Sequence, residues 1–589
     1  MPRILRFFAF APLALVVAAC ESPLGTRDDE AEWRQAVDGA LKRQIDASQP
    51  ADPSKPVTRV AATAPANLTA RASELEAFGP SAAGAGMKLD LGPGLSGSEQ
   101  PQVGLSLKDA LTTALRNSLP VQGARIDRAI RTTEIDQAEA AFDAVLVAGG
   151  GYQGTEDPQP AIQIDPAVPP SNFASIENRG GNLTAGIRKQ LETGGQFGLD
   201  VGVTEVKNLN GVTYVPNPAY ESSLDLTLDQ PLLAGAGEDV ALAQVRIAQV
   251  RDRAAAEELR RSMQDLLLSV EDQYWELFVR RQEVVAAEWL VQVGTEVRDV
   301  LEKRQKLDAT VADYSDAVAT VEQRKSTLIN ARNTARTASD RLKLLMNDAQ
   351  FPVGTELVVA TTDEPPTSPI DFSFRESVIT SVERNPSVKL ALLSIDQADI
   401  NATVANNGLL PQLDLNLAVG LNGLGSDLGE ASEDIVDADF VSYLAALQFS
   451  QPIGNRPAED AWRIARLQRS RAVTGYQQAV ENAVFGVKSA LRDVSAAYQL
   501  IEQAQITRLA QAENLRALLI LEKTLAALTP EFLALKFQRQ NALANAHIES
   551  ARAKARYNQA IARLQQASGT ILESKGFSFD EAGSWGAPR

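Results

Sequence analysis

Hydrophobic residues recur every three or four positions along two long parts of the chain. Between Gly237 and Pro352 there is no proline and one glycine, Gly294. A sustained stripe of this period predicts helices that pair as coiled coils. The stripe residues are Leu259, Met263, Leu266, Val270, Ala331, Ala335, Ala338, Leu342 and Leu345 in the first part, and Val480, Val484, Val487, Leu491, Val494, Tyr498 and Ile501 in the second.

Each part predicts an antiparallel helical hairpin, because one continuous helix of that length would exceed about 150 Å. Turns are expected near Leu307–Asp313 and near Leu525–Glu531. In the second turn, Thr529 and Pro530 match the N-cap and the first position of a new helix. The predicted hairpins cover about 236–350 and about 457–570.

Segments of alternating apolar and polar residues lie between these helices. AVLVAGGGYQ follows Asp143 and QLDLNLAVGLNG follows Pro411. Each has about the ten residues that a tilted membrane strand needs, although a soluble hairpin would alternate in the same way. NLTAGIRKQL from Asn182 and QFGLDVGVTEV from Gln196 predict a further hairpin. The sequence leaves open whether this pair adds barrel strands or forms an extracellular excursion.

The corners between strand and helix occur twice. LDLTLDQPLLAGAGEDV and LAALQFSQPIGNRPAED both stop at Gln-Pro, turn through glycine and open a long helix. Proline cannot continue a strand ladder, so it suits such a corner. This recurrence predicts an internal duplication. The corner residues are Gln230, Pro231, Gln451 and Pro452.

The duplication divides the chain into two predicted repeats, 106–352 and 373–575. Strands are predicted at about 142–230 in the first repeat and at about 411–451 in the second. Residues 20–105 and 353–372 are predicted linkers, and residues 576–589 are a predicted tail.

Charge and rare residues exclude several functions. The formal net charge is −18, which argues against a nucleic-acid partner because phosphate binding needs a basic face. One cysteine, Cys20, and one histidine, His547, rule out an internal disulfide and a Cys/His metal cluster. His547 lies in the Ala-rich helical stretch ALANAHIESARAKARY, where a structural or solvated role is expected. We therefore expect neither an enzyme nor a cofactor.

The N-terminus has the pattern of an export signal. Arg3 and Arg6 precede the apolar run Phe7–Val17, and Val-Ala-Ala leads directly to Cys20. An uncleaved membrane helix is the alternative, but the run is too short for about 30 Å of hydrocarbon. The segment resembles a bacterial lipoprotein signal, residues 1–19, cleaved before Cys20, whose thiol is then acylated. An Asp directly after the cysteine would resemble an inner-membrane retention signal. Position 21 is Glu, so the sequence permits a location in the outer membrane.

Residues 106–575 resemble the TolC-like outer-membrane efflux proteins. The resemblance rests on the repeated strand–Gln-Pro–Gly–long-helix unit and on the ending ARYNQAIARLQQASGT from Ala555 to Thr570. It implies an α+β membrane protein whose strands join a shared transmembrane β-barrel and whose coiled-coil hairpins join a shared tunnel. It also implies a homotrimer in outer-membrane lipid that docks onto a periplasmic adaptor bridging to an inner-membrane pump.

The resemblance further implies roles for the hairpin tips. Leu307 and Leu525 occupy positions where the family has glycine. The acidic positions of the two tips are retained as Asp313 and Glu531, and Ala317 matches the alanine of the family's first tip. Glu522 and Ala527 stand where some members have a gating Tyr and Arg. The expected adaptor-facing residues are Leu307, Asp308, Leu525, Thr529 and Pro530, and the expected pore-entrance acids are Asp313, Asp316 and Glu531. The alternative for these acids is that they only solvate a turn.

Other functions remain to be weighed. The outer component of a type I protein secretion system would share this fold, because the pump selects the substrate. A periplasmic adaptor would carry one hairpin between compact β-domains, and this chain predicts two hairpins and a duplication. A cytosolic fibrous coiled coil is disfavoured by the export signal and the interleaved strands.

Overall fold

The structure is a computed structural model, and it describes residues 100–159, 174–209, 215–305, 310–523 and 529–579, with parts of 35–97 and residues 585–586. The helices are α1 (Ala72–Glu76), α2 (Leu107–Asn117), α3 (Leu119–Glu139), α4 (Glu238–Ala241), α5 (Ala243–Arg304), α6 (Val311–Met346), α7 (Phe374–Arg384), α8 (Pro386–Asn407), α9 (Leu428–Asp437), α10 (Arg456–Glu522), α11 (Pro530–Ala567) and α12 (Ile571–Ser574); the strands are β1 (Gln102–Leu105), β2 (Val145–Gln159), β3 (Ala174–Gln190), β4 (Gln196–Asn208), β5 (Ala219–Pro231), β6 (Val358–Thr361), β7 (Gln412–Gly425), β8 (Phe440–Ser450), β9 (Ser578–Phe579) and β10 (Trp585–Gly586).

Two long helical hairpins dominate the fold, as the hydrophobic period predicts. Helix α5 packs against α6, α10 packs against α11, and α5 also packs against α11, so that the hairpins adhere to each other. The predicted stripe is buried or partly buried, with Val270, Leu342, Val480 and Val487 all at 0% exposure. Helix breaks occur at the predicted turns. Thr529 is the N-cap of α11 and Pro530 its first residue.

The strands between the helices form one antiparallel sheet of six strands in the order β2-β3-β4-β5-β7-β8. The additional pair that the sequence could not place is β3 and β4, which pair with each other and with β2 and β5 along most of their lengths. The pair therefore belongs to the same sheet. In the single chain the sheet is open, with β2 and β8 as its edges.

A middle layer packs against the long helices, part-way along their length. Strands β1 and β6 pair in parallel, and α2 and α5 bury a common apolar core with them. The predicted linker 353–372 thus contains β6, and its Val359 lies at 1% exposure in that core. In the predicted tail, Phe577 is 2% exposed and belongs to the same core. Short apolar runs in polar surroundings gave too little periodicity to be recognised as core.

Described residues of the predicted linker 20–105 pack against both hairpins. Leu75 is buried among Leu509, Leu515 and Leu543, whereas Leu89 packs against α5 and α6. Single leucines in a Pro/Gly-rich background supply these contacts, which sequence periodicity cannot detect. Among the described residues, no helix has the length and apolar character needed to cross a bilayer.

Candidate functional site

The six-stranded sheet has one continuous apolar face. Cross-strand register places one residue of every strand in a single row, and each residue of that row is aliphatic or aromatic. Most of these side chains are exposed, Leu146 at 76% and Tyr443 at 86%. Large exposed apolar surfaces mark interaction or membrane sites. The row is Leu146, Ile187, Leu199, Leu226, Val419 and Tyr443.

The opposite face is polar and rich in glycine. Its neighbouring row runs through Gly186, Asp200, Asp225, Gly420 and Ser442. A Cβ atom on Gly186 would lie 2.1 Å from a carboxylate oxygen of Asp200, so glycine makes room for that acid. The larger apolar residues on this face are Val145 and Val147 of β2, Val206 of β4, Leu424 of β7, and Phe440 and Leu444 of β8. The sheet thus separates an apolar side from a side suited to water.

Acidic residues give the polar face its charge. Asp200 and Asp225 stand directly opposite each other on β4 and β5. Like charges in this arrangement repel, so the pair requires solvent around it. Asp229 and Asp414 alternate onto the same face. A water-filled space on this side would therefore attract cations.

The predicted corners lie where the sheet meets the long helices. Gln230 donates from Nε2 to the carbonyl of Thr193 at 3.2 Å, which ties the β3–β4 turn to the end of β5. Pro231 is the last residue of β5, and Gln451-Pro452 follows directly after β8. Glycines with positive φ, Gly235 and Gly237 after the first corner and Gly454 after the second, complete the two turns.

The two hairpin tips lie side by side. Ala317 of α6 and Leu533 of α11 belong to one buried cluster, so the described parts of both tips are in contact. Asp313 accepts from the Thr310 amide at 3.0 Å and from its hydroxyl at 2.7 Å in a capping box. Asp313 thus caps the first turn of α6. Asp316 and Glu531 are exposed.

The remaining predicted tip residues divide into two groups. Glu522 accepts from Lys536 Nζ at 2.8 Å and so joins α10 to α11. Leu307, Asp308, Leu525 and Ala527, with Cys20 at the N-terminus, lie outside the described residues. Among the residues that the structure describes, no group of His, Cys, Asp and Glu could hold a metal ion.

No protein-family model and no curated protein sequence matches the chain. Solved structures do match it. The CmeC outer membrane channel of Campylobacter jejuni is 14% identical with a TM-score of 0.55, over 82% of this chain and 92% of that one. The outer membrane protein VceC of Vibrio cholerae is 15% identical with a TM-score of 0.54, over 79% and 96%. The outer-membrane channel OprN is 12% identical with a TM-score of 0.56, over 89% of this chain and 99% of that one.

The chain has the TolC-like outer-membrane channel fold. Identities this low establish the fold alone.

Within this TolC-like fold, Arg324 is a buried residue that the sequence pattern did not single out. It is a residue of α6 and is 5% exposed. Its guanidinium donates to Leu290 O at 2.8 Å and to Gln540 Oε1 at 3.0 Å. A Cβ atom on Gly294 would lie 2.9 Å from its guanidinium, which explains the one glycine of the first helical stretch. Burial lowers the pKa of Arg324 to about 10, so it stays charged at neutral pH. No carboxylate is among its described hydrogen-bond partners.

His547 has a structural place between the two hairpins of the TolC-like fold. It is 5% exposed, and its Nε2 lies 3.1 Å from Gln282 Oε1 across the contact of α11 with α5. Burial, with smaller contributions from Arg508 and Lys554, lowers the pKa of His547 to about 4. The side chain is therefore neutral at neutral pH and lies within the packing, which supports the structural role.

The depressed pKa of His547 predicts acid sensitivity of this contact. The folded pKa of about 4 lies below the ordinary value of 6.5. The unfolded state therefore binds more protons between these values, and stability falls as the pH is lowered through this window. The full decrease in the free energy of unfolding would be roughly 3 kcal/mol. Thermal melting of helicity should shift down between pH 7 and pH 4 in wild type and shift less in His547→Gln. Equal shifts in both proteins would contradict the assignment.

Proposed function

We propose that the chain is the outer-membrane channel of a tripartite efflux system, a passive exit duct for substrates delivered by an inner-membrane pump through a periplasmic adaptor. The observation that carries the proposal is the two-faced sheet at the end of two long helical hairpins. A sheet with an apolar outside and a polar inside meets the requirements of a transmembrane barrel, in which alternate residues face lipid and lumen. The fold shared with outer-membrane channels supports the same function.

The open sheet argues for several copies. Six strands leave two unpaired edges, which are not tolerated in hydrocarbon. The smallest membrane barrels have about eight strands, and those with water-filled channels have about 16 to 18. A homotrimer, as the family resemblance implies, would close β8 of one copy onto β2 of the next and supply eighteen strands from a six-stranded sheet per copy. The long hairpins would then surround a common tunnel.

The hairpin tips are the proposed docking face for the adaptor. They are the ends of α5, α6, α10 and α11 farthest from the sheet. Asp316 and Glu531 are exposed there, so a threefold arrangement would surround the entrance with carboxylates. Such a ring attracts cations, because a narrow low-dielectric mouth focuses the field. Asp313 should contribute less, since its carboxylate is engaged with Thr310.

Single-channel recording of the purified full-length protein in planar bilayers tests the proposal. We expect an ion-conducting pore that prefers cations and is blocked by multivalent cations added on the tip side. The triple variant Asp313→Asn, Asp316→Asn, Glu531→Gln should lose most of the block because the entrance charge is gone. A matched variant, Asp200→Asn with Asp225→Asn, should reduce cation preference and keep the block.

Each result bears on a separate part of the proposal. Absence of any conducting pore in wild-type protein would refute the channel function. Unchanged block and selectivity in the triple variant would leave a channel but remove the three tip acids from its entrance.

Lipid anchoring at Cys20 is proposed from the sequence alone. Cys20→Ser should block acylation and cleavage at that site. The mass of the mature wild-type N-terminus, measured against that of the variant, checks this. One acyl chain adds modest membrane affinity compared with a barrel, so channel activity should largely survive. Equal lipid content in both proteins would show that Cys20 is not the anchor.

A further inference from the structure

The short helix α9 lies on the apolar face of the sheet, at the end away from the long helices. It connects the last residue of β7 to the first residue of β8. Ser222 Oγ donates to the carbonyl of Ala431, and Ala431 is fully buried. A Cβ atom on Gly423 would come within 1.9 Å of that same carbonyl, so glycine is needed for the close approach. Ser222 is two residues from Leu224 on β5, and Gly423 is two residues from Leu421 on β7, so each pair lies on one face of the sheet. This places α9 on the face that carries the apolar row.

Helix α9 itself has two sharply separated sides. At 100° per residue, one continuous arc contains only small or apolar side chains plus one serine, and the opposite arc contains only acids. Leu428 and Val436 on the apolar arc are 48% and 83% exposed. The sheet therefore covers only the Ala431 edge of this arc. The apolar arc is Ala431, Ile435, Leu428, Ser432, Val436 and Gly429, and the acidic arc is Glu433, Asp437, Glu430 and Asp434.

Hydrogen bonds fix which way each side points. Glu430 accepts from the Ser426 amide at 2.8 Å, and Asp434 accepts from the Leu424 amide at 3.0 Å. Both partners belong to the end of β7 and the loop beyond it. The acidic arc is thus turned toward the loop end of the sheet. The exposed apolar residues Leu428 and Val436 are on the other side, turned outward and along the apolar face.

We infer that α9 is an interfacial helix, whose exposed apolar arc rests on bilayer lipid at the outer rim of the barrel while its acids face water. The inference rests on the proposed channel function. Amphipathic helices lie in this way at the boundary of headgroups and acyl chains. Continuity supports lipid as the occupant, because the arc extends the apolar face that the barrel would present to the membrane. A helix so placed limits how deeply the sheet sinks into the bilayer.

Site-specific quenching tests this placement. Single cysteines are introduced by Val436→Cys on the apolar arc, Glu433→Cys on the acidic arc and Leu447→Cys on the apolar face of β8. The unmutated chain is labelled in parallel, so that any signal from Cys20 can be subtracted. All three positions are exposed, so folding should be unaffected. The labelled full-length proteins are placed in vesicles of phosphatidylethanolamine and phosphatidylglycerol. A fluorophore at each site is then exposed to a lipid-borne nitroxide and, separately, to aqueous iodide.

The expected result is quenching by the nitroxide at positions 436 and 447 and by iodide at 433. Iodide quenching at 436 with nitroxide quenching at 447 would overturn the interfacial helix and leave the barrel intact. Protection of 436 from both quenchers would overturn it in favour of a second copy of the chain covering α9. Iodide quenching at 447 would refute the membrane barrel, and the inference with it.

Discussion

Val487→Asp is expected to abolish stable assembly of the protein. Val487 has no solvent exposure and packs in one cluster with Val378 of α7 and Tyr557 and Ile561 of α11. An aspartate there would bury an unpaired charge, which costs several kcal/mol and belongs to the most damaging class of substitution. The seam between α10 and α11 and its contact with α7 would both be disrupted. Loss of heat-resistant oligomer on electrophoresis and loss of cooperative melting of helicity would report this.

Two further variants calibrate that result. Leu491→Asp should be less harmful, because Leu491 is only partly buried in the same cluster. Asn482→Asp adds the same charge at an exposed position of α10 with almost no change in shape, and it should be tolerated. Full oligomer in Val487→Asp would show that α10 is packed in a different register.

Arg324→Met is the second substitution with a large expected effect. Arg324 joins α6 to both α5 and α11, through Leu290 O, Gln540 Oε1 and Asn541 Oδ1, about 20 Å from the start of α6. Methionine fills much of the space but leaves Gln540, 3% exposed, without this donor. The loss should be roughly 2–4 kcal/mol, since bonds to charged groups are the stronger ones. The two hairpins would then separate more readily near their tips.

Hydrogen exchange in the first turns of α11 and the open probability of the reconstituted channel measure this separation. Both should increase in Arg324→Met. The control is Lys325→Met, which removes the same charge one residue later, at an exposed side chain whose described partner is Glu322 on the same helix. Equal exchange and equal gating in the two variants would show that Arg324 does not hold the hairpins together.

Local periodicity carried most of what could be predicted. The 3-4 stripe through Val480, Val487 and Val494 specified buried helix faces, because one side of a helix must be covered whatever covers it. Thr529-Pro530 specified the start of α11 because capping depends on adjacent residues. The alternation in β3 and β4 and the turn between them indicated a hairpin but not its outer partners β2 and β5, since that pairing depends on residues far away in the chain.

The tertiary structure decided what lies between segments distant in sequence. Leu75, Leu89 and Phe577 are isolated apolar residues whose burial depends on surfaces that other elements present. The same holds for Arg324, whose described hydrogen-bond partners lie on α5 and α11, and for α9, whose face of the sheet is set by Ser222 and Gly423. The sequence by itself determined the long helices and the strands of the six-stranded sheet and which side of each is apolar, because those properties repeat locally. Only the folded chain decided how the hairpins interlock and that all six strands share one two-faced sheet, because these depend on long-range register.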